Sequence, residues 1–142
     1  MGNATLLDLV PELLVAIKLL SGYPIPERLP EVHLVTPQDI QQMICKGNCG
    51  IKALYLPDKG VFVSNAIGSF DDAFARSIVL HELVHHLQHV TGKFDMVADT
   101  CDRWYSKERE AYQVQNAYLQ REGEPRRFLL DSLPHMCGDR DK

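Results

Sequence analysis

His81-Glu82-Leu83-Val84-His85 constrains this chain more than any other stretch. The segment has helical periodicity, and two histidines four apart on a helix project from one face, one turn above the other. Their imidazole nitrogens are then placed to share one Zn²⁺. The intervening Glu82 falls beside the same face, within reach of a water held there, and suits a general base. Ile78, Val79, Leu80, Leu83, Val84 and Leu87 make the helix apolar over most of its circumference, which predicts burial. Buried histidine and glutamate side chains need partners, since an unpaired polar group in an apolar interior is costly. A metal ion supplies such partners; a solvated surface helix would not need them.

The rest of the composition narrows the setting. A chain of 142 residues suits one domain over residues 1–142 with a single core. Its net charge of −4 lacks the basic surplus of a nucleic-acid binder. No apolar run is long enough to span a bilayer. The leucine-rich segment Leu6–Leu20 carries Asp8 and Glu12 and lacks a basic leader, so it reads as an amphipathic helix rather than a secretory signal. Pro11 marks a kink or a new helix start within it. The four cysteines, Cys45, Cys49, Cys101 and Cys137, are compatible with two disulfides. A Cys45–Cys49 bridge would close a tight loop, and a Cys101–Cys137 bridge would tie down the tail. That arrangement goes with a periplasmic or secreted protein whose signal peptide is absent from the chain; reduced thiols would instead indicate the cytoplasm.

Along the chain, Gly22–Pro30 is too proline-rich for a helix or a central strand. Glu31–Val35 alternates as a short strand, with His33 exposed. Thr36-Pro37 opens a short helix running to about Ile44. Lys52–Leu56 and Val61–Ser64, separated by Pro57-Asp58-Lys59-Gly60, form a β-hairpin. Phe70-Asp71-Asp72 starts the histidine helix and Thr91-Gly92 ends it. A looser stretch from Lys93 to Trp104 precedes a second long helix over about Ser106–Arg121. A short helix and a tail complete the chain. The pattern is α+β: a small sheet containing a hairpin, beside two long helices.

A catalytic zinc normally has three protein ligands and one open position. The extension found in metzincins fails here, because Gln88 and Thr91 stand where that pattern needs glycine and histidine. Glu108-Arg109-Glu110-Ala111-Tyr112-Gln113-Val114-Gln115-Asn116-Ala117-Tyr118-Leu119, taken with His81–His85, resembles the glutamate helix of gluzincin metallopeptidases. The resemblance implies a zincin-like fold in which a glutamate from this helix completes the zinc site, beside a small residue that lets the helices approach. Ala111 follows Glu110, and Ala111, Val114 and Tyr118 trace an apolar stripe, so Glu110 is the expected ligand. Glu108 lies roughly 200° round the helix from it. Thr100-Cys101-Asp102-Arg103-Trp104-Tyr105 also fits the aspzincin core, which makes Asp102 a rival whose plainer role is to cap the following helix. His89, one turn beyond His85, is a third geometric option. Gln113, Asn116 or a backbone carbonyl would orient the histidines from behind.

These residues together predict zinc-dependent hydrolysis of peptide bonds, with His81, His85 and Glu110 as metal ligands and Glu82 as base. The partner would be a peptide or protein substrate, paired with Val61–Ser64 by strand addition. Tyr105, Tyr112 and His135 are candidates to stabilise the transition state. Two other classes fit the same residues: a non-proteolytic zinc-binding relative, and an interaction domain with a chance motif. The sequence leaves substrate preference and oligomeric state open.

Overall fold

A computed structural model describes residues 5–45 and 50–130, the side chains of Ile44 and Cys45 apart. The fold is α+β. Helix α1 spans Leu6–Ser21, strand β1 Val32–Val35, the short helix α2 Pro37–Ile40, β2 Ala53–Leu56, β3 Gly60–Ser64, α3 Ala73–Thr91 and α4 Thr100–Arg121; a single π-turn, Gln41–Cys45, extends α2.

Helix α3 is the hub. Helices α1 and α4 and strands β2 and β3 all pack on it. Its buried residues, among them Val79, Leu80, Leu83, Val84 and Leu87, point in all directions because every side has a neighbour. Each such side chain withdrawn from water is worth about 1.5–3 kcal/mol before conformational entropy is subtracted. Asp72 caps the first turn by accepting from the Phe74 N–H, and Gly92 closes the last turn with a left-handed φ of 68°.

Helix α1 runs unbroken through Pro11, so no new helix starts there. The ring removes only the hydrogen bond to the carbonyl of Leu7, whose residue is 75% exposed, so water can serve that carbonyl. Leu9, Val10, Leu13, Leu14 and Ile17 seat the opposite face in the core. Helix α4 begins at Thr100, earlier than the Ser106 expected. Asp99 makes the difference: its carboxylate accepts from the N–H groups of Cys101 and Asp102 and nucleates the extra turns. The cap is therefore Asp99 rather than Asp102.

The sheet order is β1-β3-β2, with β1 parallel and β2 antiparallel to β3. Strand β3 is thus central, and both of its edges are occupied. Expected strand addition at Val61–Ser64 has no edge to use; the open edge near the helices belongs to β2. The Ser64 N–H donates to the Lys52 carbonyl, which fixes the alternation along the pair. Leu54 and Leu56 turn their backbone groups toward β3, whereas Ala53 and Tyr55 turn theirs outward. His33 is half-exposed and stacks on Phe62, its neighbour on β3, at 4.8 Å between centroids. The disulfide expectations rest on the side chains of Cys45, Cys49 and Cys137, which lie outside the described residues, as does His135. Among the described residues no helix is long and apolar enough to cross a membrane.

The hairpin turn depends on Gly60. It has φ +109°, and a Cβ there would collide with the backbone carbonyl of Glu31. Gly60→Ala is expected to destabilise the fold by about 2 kcal/mol or more, through strain and loss of the β1–β3 contact. Thermal unfolding of the purified variant measures it, and an unchanged midpoint would contradict this account of the turn.

Candidate metal centre

Helices α3 and α4 bring His81, His85 and Glu108 together. One ligand atom from each lies within 4.8 Å of the others, the geometry of a group able to hold a metal ion. Glu108 Oε1 is 3.0 Å from His81 Nε2, and its Oε2 is 3.0 Å from His85 Nε2. The two Nε2 atoms stand 3.2 Å apart. Donor atoms roughly 2.0–2.1 Å from one tetrahedral zinc stand about 3.3–3.4 Å apart, so these separations already approach the edges of such a site.

The expected third ligand, Glu110, is elsewhere. Its carboxylate accepts from the Tyr23 hydroxyl, from Gln88 Nε2 at 3.0 Å, and from Lys93, whose ammonium also lies over the Tyr23 ring. The reason lies in the buried face of α4. Ala111, Val114 and Tyr118 alone leave the two glutamates nearly equivalent. Gln115 and Leu119 are also buried, and they rotate the centre of that face toward Glu108. By helical geometry Glu108 then lies about 50° from the centre and Glu110 about 110°. Burial of Gln115 and Leu119 was the signal that the three-residue stripe overlooks.

Both imidazoles are oriented from behind. His81 Nδ1 meets Gln115 Oε1 at 2.9 Å, and His85 Nδ1 meets Gln88 Oε1 at 2.8 Å. The two glutamines are each only 1% exposed, so every polar atom needs a partner. Ser77 donates its hydroxyl hydrogen to the Phe74 carbonyl and therefore accepts from Gln115 Nε2 at 3.1 Å. Gln88 Nε2 donates to the Lys107 carbonyl and to Glu110. With both amide nitrogens committed, each amide oxygen faces a histidine and must accept from Nδ1–H. That leaves Nε2 of both rings directed at Glu108 and the cluster centre, where a neutral ring would offer its lone pair to a metal ion. Gln88 and Gln115 thus hold the places expected for Gln113 or Asn116. Glu110 acts one step further out, anchoring Gln88.

The charges are arranged for a cation. Burial alone would raise the Glu108 carboxyl, but hydrogen bonds to His81 and His85 overcome it and hold the group down at about 2. Burial likewise would lower His85, yet the Glu108 hydrogen bond and charge raise it overall. Positive charge is therefore favoured where the three ligand atoms converge. Glu82 differs. Burial raises its carboxyl, offset only in part by His81, His85 and the Tyr55 backbone N–H, which reaches it from the outward side of β2. A carboxylate tuned upward beside a metal-type cluster is suited to accept and return a proton.

A cavity of about 700 Å³ opens over the cluster. Helix α3 forms its floor with His81, Glu82 and His85. Ala53–Tyr55 line one side, and Glu108, Tyr112 and Gln115 of α4 the other. Phe128, after α4, also lines the cavity. Its N–H and C=O are both held by the Asn116 amide at 2.8 Å, so a loop residue is fixed like a strand residue. Tyr112 lies with its ring centroid 4.4 Å from that of His81, and its phenol is raised by burial and by the charges of Glu108 and Glu82. His89 reaches the cavity mouth, 41% exposed and 3.7 Å from Asp58, and His86 meets the Tyr55 hydroxyl; neither joins the cluster. Asp102 and Tyr105 do not line the cavity.

The fold and this group define a small α+β domain with a largely buried His-His-Glu centre that could hold a metal ion. Residues 3–131 match the family described as a domain of unknown function, DUF6647, and the chain belongs to that family. No curated protein and no solved structure matches the chain.

Two substitutions separate the carboxylates. Glu108→Gln is expected to lose stoichiometric metal. Glu110→Gln should retain it, with affinity lowered about tenfold, the lower end of effects from residues behind the ligands. Elemental analysis and competition with a chromogenic chelator read both; the reverse pattern would restore Glu110 as the ligand.

Proposed function

We propose that this protein is a zinc-dependent hydrolase of peptide bonds, with a gluzincin-like arrangement in which Glu108 is the carboxylate ligand. The observation that carries the reading is the convergence of His81, His85 and Glu108 at the floor of a cavity that Glu82 also lines, beside the edge strand β2. Two imidazoles and one carboxylate suit zinc among the common divalent ions. Three protein donors leave a coordination position for water or substrate. When bound there, the ion supplies Lewis acidity, making a water easier to deprotonate and a carbonyl easier to attack.

The chain's own groups do the rest. The outward N–H and C=O of Ala53 and the outward C=O of Tyr55 are free of β3 and suit pairing with an extended peptide. Such a peptide lies along β2 with its backbone over the α3 floor. Glu82 takes the proton of the attacking water and delivers it to the leaving nitrogen as the carbon–nitrogen bond breaks. The Tyr55 N–H holds the Glu82 carboxylate in place. The Gln88 and Gln115 amides keep the imidazoles in one tautomer through the cycle.

Glu82→Gln tests this directly. The variant is expected to bind one zinc as the parent does and to lose about 10²–10⁴-fold in kcat on an internally quenched peptide library. Cleavage by the variant at the parent's rate would remove Glu82 from the reaction. A parent that binds zinc but cleaves nothing in the library would favour a non-proteolytic metal protein.

A further inference from the structure

We propose that Tyr112 is a catalytic residue, donating a hydrogen bond to the carbonyl oxygen of the scissile peptide as that oxygen gathers negative charge; the assignment rests on the hydrolase reading above. The argument starts from what the tyrosine hydroxyls do. Tyr23 donates to Glu110, Tyr118 accepts from Arg76, and the Tyr55 hydroxyl meets His86. Tyr112 is partly buried, yet among the described residues its hydroxyl has no protein partner. It is not sealed off, since no fully buried polar side-chain atom there lacks a hydrogen bond. The open donor therefore faces the cavity it lines.

Its position is built. Tyr112 is four residues after Glu108, one turn along the same face, so any helix placement that aims Glu108 at the histidines also aims Tyr112 at the cavity. The ring is gripped on two sides. His81 lies at 4.4 Å and Phe128 at 5.2 Å between centroids. Phe128 in turn stacks on Phe74 at 5.4 Å and is clamped by Asn116. A donor braced by rings and a backbone clip does not reorganise during the reaction, which is the condition for strong stabilisation of developing charge. Tyr112 comes from α4, across the α3 floor from β2, so a peptide paired with β2 presents its carbonyl between the two walls.

The step balances. As the water oxygen bonds to the carbonyl carbon, its proton passes to Glu82 and the carbonyl π pair moves onto oxygen, where the Tyr112 hydroxyl bonds to it. On collapse the pair returns, the carbon–nitrogen bond breaks, and Glu82 gives its proton to nitrogen. Tyr112 keeps its own proton throughout.

The test compares zinc-loaded parent, Tyr112→Phe and Phe128→Ala, each first checked for zinc content. Tyr112→Phe is expected to lower kcat about 10²-fold or more, with KM changed less than about twofold. The single tryptophan, Trp104, lines the cavity and reports occupancy by fluorescence. A phosphinic peptide, mimicking the tetrahedral oxygen, should bind Tyr112→Phe more weakly by a factor similar to the loss in kcat. An uncleaved amide peptide, titrated in the Glu82→Gln background, should bind equally with or without the tyrosine hydroxyl. Phe128→Ala keeps the hydroxyl but frees the ring, so its kcat should fall less. Parent-like kcat in Tyr112→Phe, or equal weakening of amide and phosphinic ligands, would overturn the assignment while leaving the hydrolase reading intact. A parent that cleaves no peptide and binds the phosphinic peptide no better than the amide would overturn both.

Discussion

Glu108 spans the junction between the two long helices, one carboxylate oxygen to each imidazole of α3. Much of the site follows from this contact. A carboxylate and two histidines cannot be buried together unless their charges and hydrogen bonds are matched. The match fixes the rotation of α4 about its axis, and that rotation places Tyr112 and Gln115 on the cavity side. It also turns Glu110 away, toward Tyr23 and Lys93. One electrostatic constraint thus sorts the polar residues of α4 between the site and its support.

The support is built from amides rather than charges. Gln88 and Gln115 are nearly as buried as the leucines around them, and each amide is hydrogen-bonded through both its nitrogen and its oxygen. An amide with a committed nitrogen offers an oxygen that only accepts, which selects one imidazole tautomer without adding negative charge behind the metal-type cluster. The carboxylate of Glu110 reaches His85 only through Gln88. That distance lets Glu110 serve also as an anchor for Tyr23 and Lys93, joining the segment after α1 to the end of α3.

The histidine helix and its ends are legible in the residues themselves. Asp72 and Gly92 bracket it, and an apolar circumference foretells its place at the hub. The hairpin is equally local, written in Pro57-Asp58-Lys59-Gly60. Less legible are features that depend on a distant partner. Glu108 and Glu110 differ by about 200° on one helix, and the choice between them turned on the burial of Gln115 and Leu119, which the stripe of Ala111, Val114 and Tyr118 leaves out. The edge strand was misassigned because a hairpin alone does not reveal on which side a third strand adds; β1 took the outer edge of β3, leaving β2 open.

Four-residue spacing and local apolarity are enough to put an imidazole pair, with a carboxylate between them, on one buried helix, because both are properties of the helix itself. Tertiary structure alone decided which acid meets that pair, which strand borders the cavity, and that Phe128 would brace Tyr112. Each of these is a contact between segments separated by many residues, and its geometry is set by how whole elements rotate and stack, not by any local spacing.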